Sequence, residues 1–583
     1  MRARARKTKT VVAVAPWRFY LVATVLVALL VVLLGRVLSL QVLNTDKGYA
    51  FLQNQGEIRS VRTAEIPAYR GVITDRRGEP LAVSTPVISI WADPAQLSGS
   101  EHLAKLAGLL GQPLPELEAK LERFAGKRFM YLQRHRVPAE AREILAHKIP
   151  GVYGEREYQR YYPAGEVAAQ LVGITNVDDG GIAGLELSYD EWLRGIPGKK
   201  QYIKDLHGDA VRDIGVLEPA RPGRDLKLSI DLRLQFLQHR ELQRAIAQTG
   251  SDSGTIVTLD AHTGEVLAMV NHPVFNPNSR KSFKPGNTRN LAMADEYEPG
   301  STMKSLTLVA ALESGRYTTD TVIDTTPGRI RVGRKTLQDP RNYGEMTLSN
   351  VIEKSSQVGV TKIALDLGHE PIWDVFQRLG IGQPLGTGFP GEGAGRLPNR
   401  PRWRQIEEVT LAFGYGLTVT PLQLARAYTA FANNGVLLPV SLLSLDGEVP
   451  HGEQVMAPEI AAEVLKVLHR VTGSNGTARR AKVAGYEVGG KTGTVHQVGA
   501  QGYIDNKYRA LFAGVAPAKD PRIVTVVVLN GPKGDAYGGG AVAAPVFSRV
   551  AQGALRLLNV APEAAVPDAA TIAALENQRG AGV

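Results

Sequence analysis

The sequence contains no cysteine, which excludes disulfide bonds and thiolate metal sites. Its eleven histidines lack the His-Glu-x-x-His spacing and similar patterns, so we predict no metal site and no cofactor. Neither a zinc-finger spacing nor an aromatic–basic RNA-binding motif is present. The formal net charge is +11, but six of these positive charges fall within the first 18 residues. The remaining charge is small for the length, so we predict no nucleic-acid partner.

One apolar segment is long enough to cross a membrane. Residues 19–35 carry no charged side chain, and apolar residues continue beyond Arg36 to Leu43. A helix over 19–43 exceeds the roughly 20 residues needed for a bilayer. The basic residues at 1–18 predict a cytoplasmic N-terminal tail and place the rest of the chain on the other side. Because no small-x-small cleavage site follows the apolar run, we predict a retained anchor rather than a cleaved signal peptide.

At 583 residues the chain is longer than a single hydrophobic core usually accommodates. The Gly/Pro-rich passage 195–223 is the best domain boundary, and we predict one domain over 44–222 and another over 223–560. Residues 561–583 are rich in Ala and Pro with few large apolar side chains, which is typical of a disordered tail.

The second domain shows strand patterns near both of its ends. Apolar strands at 254–259 and 265–270 flank a turn, and strand-like segments follow at 509–516 and 523–530. Helical patterns occupy much of the intervening chain, and a further helix is predicted over 545–558. We therefore predict an α+β domain whose sheet is built from both ends of the segment.

Ser301 and Lys304 form a candidate nucleophile and base. They follow Pro299-Gly300 and precede an apolar stretch, as at the start of a helix. Residues at i and i+3 share a helix face, so the lysine amine comes close to the serine hydroxyl. A lysine whose pKa is lowered by burial can take the hydroxyl proton. The pattern is short, and a capped helix start with a solvated lysine explains it equally well.

Two downstream segments strengthen this interpretation. Ser355-Ser356-Gln357 lies 54 residues after Ser301, and Lys491-Thr492-Gly493-Thr494 lies in a segment that alternates like a strand. Glycine in such a strand permits a ligand backbone to approach closely, and lysine with two threonines suits recognition of a carboxylate. Taken singly, the first segment reads as a helix cap and the second as an ordinary strand end.

Ser-x-x-Lys, Ser-x-Asn and Lys-Thr-Gly, in this order, are the motifs of penicillin-recognising serine enzymes. The chain resembles the class B penicillin-binding proteins, and within them the division-specific septal peptidoglycan transpeptidases of Gram-negative bacteria. Long segments carry this resemblance as well as the three motifs. These segments are residues 70–82, 161–173, 181–198, 298–306, 413–435 and 507–532.

The resemblance implies a fold and a set of catalytic roles. A single transmembrane helix would precede an elongated non-catalytic pedestal and a transpeptidase domain with an antiparallel sheet flanked by helices. Ser301 would be acylated by the penultimate D-alanine of a stem pentapeptide, and Lys304 would act as its base. Ser355 would relay a proton to the departing amine, and Lys491 would keep that part of the site electropositive.

The resemblance also implies a substrate-binding set. Thr492 and Thr494 would hold the terminal carboxylate of the donor, next to Gly493. Backbone N–H groups of Ser301 and Thr494 would form the oxyanion hole. Gln357 departs from the family asparagine and is longer by one methylene. We hypothesise that it retunes substrate or β-lactam binding without abolishing acylation.

Further implications concern cellular context. The substrate would be nascent peptidoglycan, β-lactams would be inhibitors, and a polytopic glycan polymerase and other division proteins would be partners. The location would be the inner membrane, with the catalytic domain in the periplasm.

Three alternatives differ in the fate of the acyl-enzyme. A class A β-lactamase is disfavoured because no Glu-x-x-Leu-Asn segment lies between Ser355 and Lys491. A D,D-carboxypeptidase differs only in using water as the acceptor and stays open. A catalytically weakened penicillin sensor or scaffold also stays open because of Gln357.

Overall fold

The computed structural model describes residues 15–41, 61–204, 210–284, 286–499 and 502–563. The predicted basic tail, up to residue 14, and the predicted disordered tail, from residue 564, lie outside the described residues. Two compact units are present, and each is described by itself. The first combines the residues up to Ala68 with Ile196–Arg221, and the second combines Tyr69–Gly195 with the residues from Pro222 onward.

The first unit contains the predicted apolar helix, which runs over Pro16–Gln41. The most apolar 18 residues within Pro16–Leu40 have a mean hydropathy of 2.8, and none of that stretch is buried. In the described part of the chain it is the one helix long and apolar enough to cross a membrane. Length and composition are those of a membrane anchor.

The first unit also contains a three-stranded antiparallel sheet. Its strands, in spatial order, are Val61–Ile66, Gly198–Lys204 and Ala210–Glu218. Two of the three lie inside the Gly/Pro-rich passage that we predicted as a boundary. Glycines and prolines there mark the ends of the strands, and a pair of backbone hydrogen bonds between Ile196 and Arg221 closes the hairpin.

The second unit begins with a smaller domain, which we call the head, around a mixed sheet. Val152–Tyr161 and Met130–Arg136 pair with the long strand Pro80–Ala92, and Leu226–Lys227 pairs in parallel with Ile73–Thr74. Its helices and short strands are Pro94–Leu97, Leu103–Leu110, Leu114–Arg123, Pro138–Ala146, Ala169–Val172, Ile174–Thr175, Gly181–Ala183, Gly184–Ser188 and Asp190–Leu193.

A buried ion cluster joins three segments of the head. Glu186 accepts a hydrogen bond of 2.6 Å from Nε of Arg70 and another of 2.6 Å from Nε of Arg160. Arg70 also bonds Asp190 at 2.6 Å. All three side chains that meet at Glu186 are almost fully buried. Because a buried charge is tolerated only with compensating partners, these residues hold the three segments in one arrangement.

The larger domain of the second unit has the predicted antiparallel five-stranded sheet, which we call the central sheet. Its strands, in spatial order, are Val266–His272, Ser253–Asp260, Ile523–Asn530, Gly502–Ala516 and Gly489–Gly499. Ser253–Asp260 pairs directly with Ile523–Asn530, so the sheet is built from both ends of the domain, as predicted. Every residue of Ile523–Asn530 is buried, which places helices or loops over both faces.

Helices surround this sheet and carry two of the three motifs. Gln357–Leu367 and Lys304–Glu313 begin at or beside the motif residues, and Pro421–Ala432 packs against Ile523–Asn530. The remaining helices are Leu232–Thr249, Leu291–Ala294, Leu348–Glu353, His369–Arg378, Gln405–Ala412, Pro458–Thr472, Gly539–Val542 and Ala544–Leu557. Short strand pairs are Val322–Asp324 with Glu345–Thr347, Arg329–Val332 with Lys335–Gln338, and Val436–Leu437 with Glu453–Gln454.

Candidate active site

Ser301 lies on a single tight turn rather than in the first α-helical turn that we predicted. Residues Gly300–Met303 form a 3₁₀ turn, and the α-helix begins at Lys304. Gly300 has a φ of 57°, and a Cβ atom there would lie 2.3 Å from Cγ1 of Val495. The close approach of the central sheet therefore requires glycine, and it tightens the chain just before the nucleophile.

Buried hydroxyl groups hold the nucleophile turn in place. Tyr428 donates from its hydroxyl to the carbonyl of Thr302 over 2.8 Å and lies 3.0 Å from Oγ of Ser305. Thr307 donates to the carbonyl of Ala412 over 2.6 Å. Sequence reasoning did not single out these residues, since a buried tyrosine in an apolar helix carries no motif. They limit the movement of the turn that presents Ser301.

Ser355 occupies a left-handed backbone conformation between two helices. It has a φ of 58° and follows the helix Leu348–Glu353. Ser356 then caps the helix Gln357–Leu367, with its Oγ accepting from the N–H of Gly359 over 2.9 Å. A left-handed serine costs about 1 kcal/mol relative to its favoured conformations, and the surrounding contacts must supply that energy.

The side chain of Ser355 lies between the two predicted lysines. Nζ of Lys304 donates to the carbonyl of Ser355 over 2.7 Å and to its Oγ over 3.3 Å. Nζ of Lys491 donates to the same Oγ over 3.0 Å. The structure thus brings together three of the four predicted catalytic side chains through hydrogen bonds, and Ser301 stands one helical turn before Lys304.

Both amines are buried, with Lys304 2% and Lys491 0% exposed. Burial lowers the pKa of Lys304 to about 7, while the carboxylate of Asp339 opposes that shift. Burial also lowers the pKa of Lys491 well below its usual range, and the nearby charge of Lys304 lowers it further. Near neutral pH a large fraction of Lys304 is therefore neutral, which is what a general base requires.

Asp339 is a buried residue of the site that the motifs did not indicate. Its Oδ2 accepts from the hydroxyl of Ser356 over 2.6 Å. Its Oδ1 accepts from the N–H groups of Gln357 and Val358 over 2.5 and 3.2 Å. Asp339 thereby anchors the turn that carries Ser355 and attracts the ammonium form of Lys304. It comes from a different loop, so no local pattern in the sequence points to it.

Gln357 is the first residue of its helix, and its backbone N–H is held by Asp339. Its side chain is half-buried. Within the described residues, the side-chain amide of Gln357 makes no hydrogen bond. Donor and acceptor groups of this amide are thus available to a ligand.

The strand Gly489–Gly499 presents the third motif beside the nucleophile turn. A Cβ atom at Gly493 would lie 3.1 Å from the carbonyl oxygen of Pro299, so glycine permits the close approach. Oγ1 of Thr492 lies 3.2 Å from Oγ1 of Thr477. Oγ1 of Thr494 accepts from the N–H of Gly539 over 3.0 Å, and Thr494 is exposed.

Glu298 links the nucleophile segment to the neighbouring strand, a contact that the motifs did not predict. One carboxylate oxygen accepts from the hydroxyl of Tyr503 over 2.9 Å, and the other accepts from the N–H of Gly416 over 2.8 Å. Tyr508, in the same strand as Tyr503, stacks on Tyr537 from the loop after Ile523–Asn530, with ring centroids 4.2 Å apart. Aromatic and acidic groups thus stand beside the motif strand.

The arrangement has the components of nucleophilic catalysis. Ser301 lies one turn before a buried amine of lowered pKa, and the hydroxyl of Ser355 connects this amine to a second buried amine. Among the described residues, no cluster of three or more His, Asp or Glu side chains is placed to hold a metal ion. The chemistry of these groups is that of acyl transfer through a covalent intermediate.

Comparisons with known proteins match most of the chain. Residues 254–552 match the penicillin-binding protein transpeptidase domain, and residues 65–228 match the penicillin-binding protein dimerisation domain. The peptidoglycan D,D-transpeptidase FtsI of Escherichia coli K12 is 42% identical over 554 residues, covering 94% of this chain and 93% of that protein. The probable peptidoglycan D,D-transpeptidase PbpC of Pseudomonas aeruginosa is 41% identical, covering 94% and 96%.

Solved structures give the same result. A peptidoglycan synthetase from Bifidobacterium adolescentis matches with a TM-score of 0.68 at 26% identity, over 87% of this chain and 99% of that one. Penicillin-binding protein 3 of Mycobacterium tuberculosis, complexed with aztreonam, matches with a TM-score of 0.66 at 29% identity, over 86% and 99%. The transpeptidase domain of Burkholderia pseudomallei penicillin-binding protein 3 matches with a TM-score of 0.53 at 40% identity, over 58% and 98%.

Proposed function

This chain belongs to the class B penicillin-binding proteins, and from that premise we propose that it is a peptidoglycan D,D-transpeptidase with Ser301 as its nucleophile. The reaction joins two stem peptides through a serine acyl-enzyme. One observation carries the assignment of roles: two buried lysine amines meet at the hydroxyl of Ser355, one of them a helical turn from Ser301.

Acylation begins when Oγ of Ser301 attacks the carbonyl carbon of the penultimate D-alanine. The hydroxyl proton passes to the neutral amine of Lys304, whose pKa of about 7 makes it an effective acceptor at neutral pH. The carbonyl oxygen becomes an oxyanion, which the backbone N–H groups of Ser301 and Thr494 stabilise. Donors of this kind typically contribute about 3–4 kcal/mol each to the transition state.

Collapse of the tetrahedral intermediate breaks the peptide bond to the terminal D-alanine. The departing nitrogen needs a proton, and the path from Lys304 to Oγ of Ser355 is already hydrogen-bonded. Lys491 contacts the same oxygen and keeps it in an electropositive setting. Thr492 and Thr494 hold the carboxylate of the terminal D-alanine until it leaves, and β-lactams acylate Ser301 because they present a similar carboxylate and amide.

Transfer completes the reaction. The amine of a second stem peptide attacks the ester carbonyl of the acyl-enzyme. The bond from the carbonyl carbon to Oγ of Ser301 then breaks, and a proton returns to Oγ to restore the hydroxyl. The amine must reach the ester in its neutral form, so the same relay of Ser355 and Lys304 serves as its base. A carboxypeptidase follows the identical path with water as the nucleophile.

The cellular setting follows from the family and the apolar helix. We propose that Pro16–Leu40 anchors the chain in the inner membrane with its basic N-terminal residues on the cytoplasmic side. The catalytic domain then works in the periplasm on nascent peptidoglycan of the division septum. A polytopic glycan polymerase and other division proteins are the proposed partners, because newly made strands must be cross-linked as they appear.

Labelling with a fluorescent penicillin tests the nucleophile. We expect a covalent adduct on the full chain in detergent and none on the Ser301→Ala variant. Ser314→Ala is the matched control, because Ser314 caps the end of the same helix. An adduct that persists in Ser301→Ala, or disappears in Ser314→Ala, contradicts the assignment.

A second assay separates transfer from hydrolysis. A donor peptide ending in D-Ala-D-Ala is incubated with a D-amino acid as the acceptor, and both the exchanged and the hydrolysed products are measured. We expect exchange to exceed hydrolysis and to rise with acceptor concentration. Hydrolysis alone, independent of the acceptor, would assign a carboxypeptidase instead.

A further inference from the structure

A cavity of about 240 Å³ lies in the second unit beside the head strand Val152–Tyr161. Its other walls come from the residues around 175–179 and from the loop that contains Asn278, Arg280 and Phe283. The cavity thus lies between the head and the larger domain of that unit. We call it the head cavity.

Unpartnered polar atoms concentrate on the wall of the head cavity. In the described part of the chain, seven buried side-chain nitrogen and oxygen atoms lack a hydrogen-bond partner. Three of them belong to residues of this wall: Nε2 of His135, Nη2 of Arg160 and Oδ1 of Asp179. Nε2 of His135 lies 3.6 Å from a carboxylate oxygen of Glu157, so Nη2 of Arg160 and Oδ1 of Asp179 are the two atoms of this wall without a neighbouring partner. A buried donor or acceptor without a partner costs roughly 1–3 kcal/mol, and a molecule bound in the cavity would remove that cost.

Arg160 supplies a donor held rigidly by other contacts. The residue is 6% exposed, and its Nε donates to Glu186 over 2.6 Å. Its Nη1 donates to Oγ of Ser84 over 3.2 Å, which leaves Nη2 for the cavity. Glu186 already compensates the positive charge of the guanidinium group. Nη2 therefore needs a hydrogen-bond acceptor, and that acceptor can be an uncharged oxygen.

Asp179 supplies an acceptor. Its backbone is left-handed, with a φ of 61°, and its carbonyl is bonded by Arg70. Burial raises the pKa of its carboxyl to about 6, so the group is mainly ionised at neutral pH. The buried guanidinium groups of Arg160 and Arg70 offset this charge. The wall is therefore close to neutral and suits an uncharged ligand that both donates and accepts.

The remaining walls are partly apolar. Phe283 and Pro277 lie on one side, and Tyr158 and Tyr161 lie on the strand. A volume of about 240 Å³ is below the ~300–1,000 Å³ of sites for drug-sized ligands, so it fits one ring rather than a chain of rings. Hydroxyl groups at the edge and C–H groups on the face are the properties of a sugar ring.

We propose that the head cavity binds one N-acetylated sugar ring of a glycan strand. Nη2 of Arg160 donates to a carbonyl or hydroxyl oxygen of the sugar, Oδ1 of Asp179 accepts from a hydroxyl, and the aromatic side chains contact the face of the ring. The source of the sugar rests on the proposed function, because peptidoglycan is then the polymer on which the enzyme acts. Binding at this site would hold a strand on the head while its peptides react.

Tri-N-acetylchitotriose is the probe, since it carries the sugar ring without a stem peptide. The full chain in detergent is first acylated with penicillin, and binding is measured by saturation-transfer NMR and calorimetric titration. We expect binding in the millimolar range and at least fivefold weaker binding by Asp179→Asn, because asparagine accepts a weaker, uncharged hydrogen bond. Asparagine also tolerates the left-handed backbone.

Two further variants make the result decisive. Val177→Phe fills the cavity and should abolish binding. Asp178→Asn is the matched control, since Asp178 is the neighbouring carboxylate, is 70% exposed and pairs with Arg134. Thermal unfolding of each variant shows whether it is folded.

The outcomes separate cleanly. Binding that is weakened by Asp179→Asn and Val177→Phe but kept by Asp178→Asn supports the site. Absence of binding by the parent chain, or equal binding by the parent and Asp179→Asn, overturns it. Preferential binding of a sugar-free stem peptide to the cavity also overturns it. Penicillin labelling of Ser301 does not involve the head cavity, so failure here leaves the Ser301 labelling result untouched.

Discussion

Replacing Asp339 with asparagine should slow acylation and move its pH dependence to lower pH. The carboxylate accepts three hydrogen bonds from Ser356, Gln357 and Val358, and it stabilises the ammonium form of Lys304. Asparagine keeps one acceptor oxygen but presents its amide NH2 group, a donor, to the hydroxyl of Ser356. The hydroxyl of Ser356 already accepts from the N–H of Gly359. With an NH2 group at position 339, the proton of that hydroxyl no longer has an acceptor.

The magnitude follows from these contacts. Hydrogen bonds to a charged group contribute roughly 1.5–3 kcal/mol, against about 0.5–1.5 kcal/mol for neutral ones, so the exchange costs about 2 kcal/mol. Since one decade of rate corresponds to about 1.4 kcal/mol, we expect acylation to slow by about 30-fold at the plateau.

The pH profile reports the second effect independently. In the parent chain, acylation should rise as Lys304 loses its proton, with a midpoint near its pKa of about 7. Asp339 opposes the lowering of that pKa, so the variant should have its midpoint below the parent's.

The second-order rate constant of acylation by a chromogenic β-lactam, measured on both sides of neutral pH, checks both effects. Asp320→Asn, on an exposed residue, is the control. An unchanged plateau refutes the positioning role of Asp339, and a midpoint that stays or rises refutes its electrostatic role.

Substitutions at four other positions test separate contacts. Gln357→Asn shortens the amide by one methylene and should change acylation rates for a β-lactam panel by up to about 100-fold; equal rates would refute a role in binding. Tyr428→Phe leaves two buried groups of the nucleophile segment unpaired and should lower the free energy of unfolding by about 1–3 kcal/mol, measured by denaturant titration. Glu186→Gln uncouples two buried arginines and should cost about 3–5 kcal/mol, seen as a lowered thermal midpoint; an unchanged midpoint would contradict it. Ser355 has a φ of 58°, so Ser355→Gly should be more stable than Ser355→Ala by about 1 kcal/mol in free energy of unfolding. Both variants should lose deacylation. An alanine variant that is the more stable of the two would exclude backbone strain at this position.

Local patterns predicted the parts of the fold that depend on near neighbours. The helix at Lys304, the hairpin at 254–270 and the pairing of strands from both ends of the catalytic domain all follow from periodicity and turn residues. The ordered motifs also indicated the set of groups that meet at Ser355. Each helix, strand and motif carries its own signal within about ten residues of sequence, and the order of these signals along the chain indicated how they combine.

Other features depend on contacts between distant segments. Asp339 reaches the turn at Ser356 from another loop, and Tyr428 reaches the nucleophile turn from a helix more than a hundred residues away. The strands inside 195–223 pair with each other, and one of them also pairs with Val61–Ile66, whereas their glycines and prolines are locally typical of a linker. The left-handed serine at 355 carries no local sign, since glycine usually marks such a position.

The lowered pKa of Lys304 ultimately depends on small residues at a distance from it. Gly300 and Gly493 allow the motif strand to approach the nucleophile turn to within contact of backbone atoms. Lys491 lies on the same strand and is completely buried, and the charge of Lys304 opposes a second charge on Lys491. A larger residue at either glycine would separate the strand from the turn, admit water and let both amines return toward their ordinary pKa. The base strength of Lys304 is therefore a consequence of close packing between strand and turn, and the glycines that permit it belong to the catalytic apparatus as much as the lysines do.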